Sequence, residues 1–102
     1  MNRLERIEKM EERMDRLTAA VRHAEEALEQ WKDAQDALQE LTAYYTSPLW
    51  LQDYEADERG EIPKSIKRGV LSQDGVYDLL RRIKDMQEEF QALCQKEEES
   101  PV

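Results

Sequence analysis

The sequence predicts an all-α fold: a long N-terminal helix, a short middle helix and a returning C-terminal helix, forming an antiparallel coiled-coil-like hairpin with a packed corner. Three observations predict it. Apolar residues recur with 3–4 spacing from Ile7 to Tyr45, and again from Val76 to Cys94. Between these stripes, residues 44–72 abandon the heptad spacing. They hold Pro48, Pro63, Gly60, Gly69, Trp50 and three tyrosines, which a simple coiled coil does not need.

The first stripe comprises Ile7, Met10, Met14, Leu17, Val21, Ala24, Leu28, Trp31, Gln35, Leu38 and Tyr45, with Thr42 or its neighbour Leu41 filling the gap. Alanines at 20, 27, 34 and 37, with Leu41 and Tyr44, widen it toward its C-terminal half. A wider stripe predicts contact with more than one neighbour there. No Gly or Pro interrupts residues 1–47, and Asn2 with Glu5 three residues later reads as an N-cap. One helix is therefore expected over residues 3–45, on the order of 65 Å at about 1.5 Å per residue.

Ser47-Pro48 ends this helix, because proline disfavours α geometry at the preceding residue and lacks a backbone donor. The same pair opens the next, with Ser47 as N-cap and Pro48 at the first helical position. Trp50 and Tyr54 share a face at i, i+4, and Gly60 is a stop signal, so the second helix covers 48–58. Residues 59–71 read as a loop that packs down on Ile62, Ile66, Val70 and Leu71. Ser72 and Asp74 suit the start of the last helix, expected over 72–96. Val76, Leu79, Leu80, Ile83, Met86, Phe90, Leu93 and Cys94 line its stripe. The whole reads as a single helical domain over 1–96 with a frayed acidic tail at 97–102.

Composition narrows the function classes. Hydrophobic residues make up 39% of the 102, below the roughly 45–50% usual in globular domains, so apolar seams are expected instead of a deep core. The net charge of −9, spread along the chain, argues against direct binding to nucleic acid or an anionic membrane and leaves room for a basic protein partner. No apolar run approaches the roughly 18 residues of a membrane span, and the charged N-terminal residues do not read as a signal peptide. The single Cys94 rules out an internal disulfide and suits the reducing cytoplasm.

If the last helix folds back on the first, it covers about half of it. Leu4, Ile7, Met10, Met14 and Leu17 then overhang without an intrachain partner. An exposed stripe of that kind predicts an interface, here a homodimer through the N-terminal helix.

Specific chemistry is poorly served by the motifs. Counted as a calcium loop from Asp53, position 6 is Glu58 where glycine is needed, and position 12 is Lys64 where a bidentate glutamate is needed. One His and one Cys cannot supply the three or four ligands of a zinc site. His23 and Cys94 lie on helices without an oxyanion loop or an orienting third group. No catalytic, cofactor-binding or metal-ligating residue is assigned, and no cofactor is expected. The basic cluster Lys64, Lys67 and Arg68 reads as neutralising Asp53, Asp57, Glu58 and Glu61 across the loop. Tyr45, Trp50, Asp53, Tyr54, Asp57, Lys67 and Arg68 form the candidate partner surface or the scaffold of the corner.

Several corner residues carry a resemblance. Tyr44-Tyr45, Ser47, Trp50, Asp53, Asp57-Glu58, Gly60, Pro63, Lys67-Arg68-Gly69-Val70-Leu71-Ser72, Asp74 and Leu79-Leu80 resemble the small bacterial domain-of-unknown-function family numbered 4298. The likeness covers nearly the whole chain. It is most specific from Arg68 to Ser72 with Asp74, and the first helix matches as a generic amphipathic helix. It implies bacterial origin and a small helical domain, with no activity or site residues attached.

The expected role is a noncatalytic protein–protein interaction or assembly module. The alternatives are an acidic antagonist of a nucleic-acid-binding protein and a small enzyme using the corner carboxylates.

Overall fold

The computed structural model describes residues 2–98. Its elements are α1 (Arg3–Asp33), α2 (Gln35–Tyr45), α3 (Pro48–Glu58), a 3-10 turn (Gly69–Leu71) and α4 (Gly75–Glu98). The fold is all-α, with no strand among the described residues. No helix among them is long and apolar enough to cross a membrane. The chain divides into two compact units between Thr42 and Ala43.

In the first unit, α1 starts as its sequence predicts. Asn2 is extended, and its side-chain oxygen accepts from the Glu5 backbone N–H at 2.9 Å. The Asn2 amide returns a bond to the Glu5 carboxylate at 3.2 Å, so cap and third residue hold each other. The single helix expected over 3–45 is interrupted once, at Ala34. The Ala34 N–H is shared between the carbonyls of Gln30 and Trp31, at 3.1 and 3.2 Å. The Gln35 side-chain amide also donates to the Trp31 carbonyl at 3.1 Å. A side chain competing for an i−4 carbonyl perturbs a helix without any Gly or Pro, so nothing in the residue pattern announces it.

Every residue from 2 to 30 is exposed. Leu4, Ile7, Met10, Met14, Leu17, Val21 and Leu28 each expose 50–70% of their surface. That stripe gains almost nothing from burial within this structure.

The second unit holds the core. Leu71 and Val76 are the buried residues among those described, at 7% and 3% exposure. They bracket the junction between the 3-10 turn and α4, and the turn packs against both α3 and α4. The α3 boundaries coincide with those its Ser-Pro and Gly signals predict. Its C-terminus is a Schellman closure: Gly60 sits at φ +75, its N–H bonds the Asp57 carbonyl, and the Glu61 N–H bonds the Ala56 carbonyl, both at 3.0 Å. Of the expected loop anchors, Leu71 is buried and Ile62 and Val70 are half-buried, whereas Ile66 is 54% exposed. A turn bond from the Ile66 N–H to the Pro63 carbonyl, at 3.1 Å, sets the backbone there.

α4 begins three residues after the expected start and reaches two beyond the expected end. Ser72 still caps it, extended at φ −73 and ψ 143, with its hydroxyl accepting from the Gly75 N–H at 2.9 Å. Of the expected frayed tail 97–102, Glu97 and Glu98 are helical, and 99–102 lie outside the described residues.

Candidate functional site

The corner is built on one face of α3. Trp50, Asp53, Tyr54 and Asp57 recur at i, i+3, i+4 and i+7, so one short helix presents an indole, a phenol and two carboxylates in a row. The chain before α3 closes on this face first. The Ser47 hydroxyl was expected to cap α3. Instead it donates back to the Tyr44 carbonyl at 2.7 Å, and its N–H reaches the same oxygen at 3.0 Å. Ser47 therefore ties off the end of α2, while Pro48, which has no N–H, removes one of the donors a cap would serve.

This turn sets Tyr44 and Tyr45 against α3. The Tyr45 ring meets Trp50 edge-on, with centroids 5.1 Å apart at 75°. Tyr54 stacks on the indole at 5.3 Å and 17°. The Trp50 Nε1–H donates to the Val70 carbonyl at 2.9 Å, twenty residues along the chain. One side chain thus fastens the end of α2, its own helix and the 3-10 turn, with its one polar atom satisfied.

The two carboxylates repeat the pattern. The Tyr44 hydroxyl donates to Asp53 at 2.6 Å, joining α2 to α3. Arg68 Nη1 donates to Asp57 at 2.8 Å, joining the loop to α3. Of the basic cluster, Arg68 alone makes an ion pair among the described residues; Lys64 and Lys67 are exposed. The mutual neutralisation expected of the cluster is confined to that one contact. Glu61 pairs instead with Arg59 at 2.9 and 3.2 Å, which holds its carboxyl below the usual range, and Glu58 stays exposed.

Burial, with the hydrogen bond to Asp53 and the negative charge behind it, pushes the Tyr44 phenol from 10.0 up to about 12. A proton held more tightly in the folded state stabilises the fold below pH 10, and this contribution fades as pH rises through about 12. Wild type is therefore expected to lose more stability between pH 9.5 and 11.5 than Tyr44→Phe, measured as the shift in urea midpoint. Equal losses would show that Tyr44 ionises as freely folded as unfolded.

Gly75 is the corner residue that sequence reasoning passed over. A Cβ added there would collide with the Ser72 Oγ and stand 2.8 Å from the Gly69 carbonyl oxygen. The Ser72 hydroxyl meanwhile donates to that same carbonyl at 3.0 Å. Gly69, Ser72 and Gly75 thus form one tight knot, and its only sequence signal is a glycine three residues after a capping serine.

Among the described residues no group of three or more His, Cys, Asp or Glu side chains could hold a metal ion. A depression on α4 is lined by Tyr77, Leu80, Arg81, Lys84, Asp85 and Glu88, and includes neither Asp53, Asp57 nor Glu58. Apart from exposed Lys67, the candidate surface is a set of mutually occupied groups, and the candidates Leu4, Ile7, Met10, Met14 and Leu17 form an exposed stripe on α1.

The family model described as a domain of unknown function, DUF4298, matches residues 7–96. No curated protein and no solved structure matches the chain.

Proposed function

We propose that the chain, which belongs to the DUF4298 family of domains of unknown function, works as a noncatalytic self-assembly module. Two copies associate through the apolar stripe of α1, and the corner serves as scaffold. The observation that carries this reading is the exposure of seven large apolar residues, Leu4 to Leu28, along one helix with no buried residue. Scattered surface leucines are ordinary; a continuous 3–4 stripe left in water is an interaction surface.

The corner supports the noncatalytic part. Asp53 and Asp57 are engaged by Tyr44 and Arg68, which suits tethers more than an acid–base pair. The net charge of −9 is all that supports an acidic antagonist, so a placed feature outweighs a diffuse one. The exposed thiol of Cys94 favours a reducing compartment such as the cytoplasm.

Light scattering at micromolar concentration is expected to give twice the 12.1 kDa chain mass. Met14→Glu with Leu17→Glu should halve it and leave the melting of the corner unchanged. A monomeric wild type would overturn the proposal.

A further inference from the structure

We infer that the two copies of α1 run parallel and in register, a direction set by Arg6 and Glu11. This rests on the self-assembly reading and adds to it an orientation and the residues that choose it.

The stripe defines the register. Ile7, Met14, Val21 and Leu28 occupy one seam position of four successive heptads, and Met10, Leu17, Ala24 and Trp31 occupy the other. Seven of these eight lie between Ile7 and Leu28, about 32 Å at about 1.5 Å per residue. Four heptads is the length at which such a pattern marks a coiled coil. Two sets of residues flank the seam. Arg6, Arg13, Ala20 and Ala27 precede the Ile7-type positions, and Leu4, Glu11, Thr18, Glu25 and Lys32 follow the Met10-type positions.

The two orientations pair these flanks differently. In a parallel dimer, each residue of the first set faces the residue five further along the other copy. Arg6 then meets Glu11 of the second copy, twice by symmetry. Arg13 meets Thr18, Ala20 meets Glu25 and Ala27 meets Lys32, so no like charges face each other. In an antiparallel dimer spanning the same heptads, each set faces itself. Glu11 then meets Glu25 of the second copy, also twice, and Arg6 and Arg13 find only alanines.

The structure leaves these groups available. Among the described residues neither the Arg6 nor the Glu11 side chain has a hydrogen bond or ion pair, and both are exposed. On one helix, residues five apart point about 140° away from each other, so the two do not meet within a chain. Any energetic coupling between them therefore reports a contact between copies.

The test uses full-length protein with Cys94→Ser. In the parallel register, residue 14 of each copy faces itself across the seam, within reach of a disulfide. Met14→Cys is expected to oxidise to a covalent dimer. Arg6→Glu and Glu11→Arg should each weaken the dimer about fivefold, the scale of a lost exposed ion pair counted twice, and the double exchange should recover it. An equimolar mixture of Met14→Cys and Ala24→Cys chains reports the other orientation, because antiparallel packing sets those two positions together. Cross-linking of the mixture without cross-linking of Met14→Cys alone would overturn the parallel assignment while leaving self-assembly intact. A monomer in the light-scattering experiment would overturn both.

Discussion

Trp50→Ala is expected to lower the melting temperature by about 15 °C. The indole holds three elements at once: Tyr45 edge-on at 5.1 Å, Tyr54 stacked at 5.3 Å and the Val70 carbonyl at 2.9 Å. Removing a fully buried Trp costs about 3–5 kcal/mol, and Trp50 is half-buried, so about 3 kcal/mol is the appropriate scale. One kcal/mol moves the midpoint of a domain of this size by roughly 4–8 °C. Trp50→Phe separates the contributions. It keeps an aromatic ring near the tyrosines but loses the N–H donor and part of the ring area, so about 1–2 kcal/mol should go. The readout is thermal unfolding by circular dichroism. A change of under about 3 °C for the alanine variant would mean that the ring contacts hold nothing together, and the corner could then be a free binding surface.

How much of this was legible beforehand follows from where each signal sits. α3 was readable to the residue because its ends carry local chemistry: Ser47-Pro48 before it and Gly60 after it. The Trp50–Tyr54 contact was equally local, one helical turn apart. The partner of the indole N–H was not, since the Val70 carbonyl lies twenty residues away and every residue offers a carbonyl. The same holds for the ion pairs. Lys64, Lys67 and Arg68 present three cations to several acids, and only the backbone of the 3-10 turn decides that Arg68 reaches Asp57. The break at Ala34 left no trace because Ala and Gln are both good helix formers, and the Gln35 side-chain amide that shares the Trp31 carbonyl there carries no signal in the residue pattern. The α1 stripe was visible from spacing alone, and its exposure adds the statement that nothing within residues 2–30 is buried.

The three glycines provide the sharpest separation of local from tertiary causes, because Gly→Ala should have three different signs or sizes. Inside or beside helices the change usually stabilises by about 0.4–1 kcal/mol, by narrowing the unfolded ensemble. Gly69 meets that condition: an added Cβ has nothing within 4 Å and the backbone is ordinary, so Gly69→Ala should be neutral or slightly stabilising. Gly60 has the same open space and φ +75, so Gly60→Ala should cost about 1 kcal/mol through backbone strain alone. Gly75 opens α4 with no positive φ, and helix propensity taken alone predicts a gain. Its Cβ would instead strike the Ser72 Oγ and press on the Gly69 carbonyl at 2.8 Å. The hydroxyl can swing away only by giving up its bonds to the Gly75 N–H and the Gly69 carbonyl, and the carbonyl cannot move without the 3-10 turn that carries buried Leu71. Gly75→Ala is therefore expected to cost about 2 kcal/mol, the usual scale of an overpacked site. Ser72→Ala should cost about 1 kcal/mol as a lost cap. Adding Gly75→Ala to it should then cost less than the sum, because the nearer obstacle has gone while the carbonyl remains. Urea midpoints of the four single variants and the double variant decide it. A stabilising Gly75→Ala would show that the knot of Gly69, Ser72 and Gly75 is loose, and that the start of α4 obeys propensity and not packing.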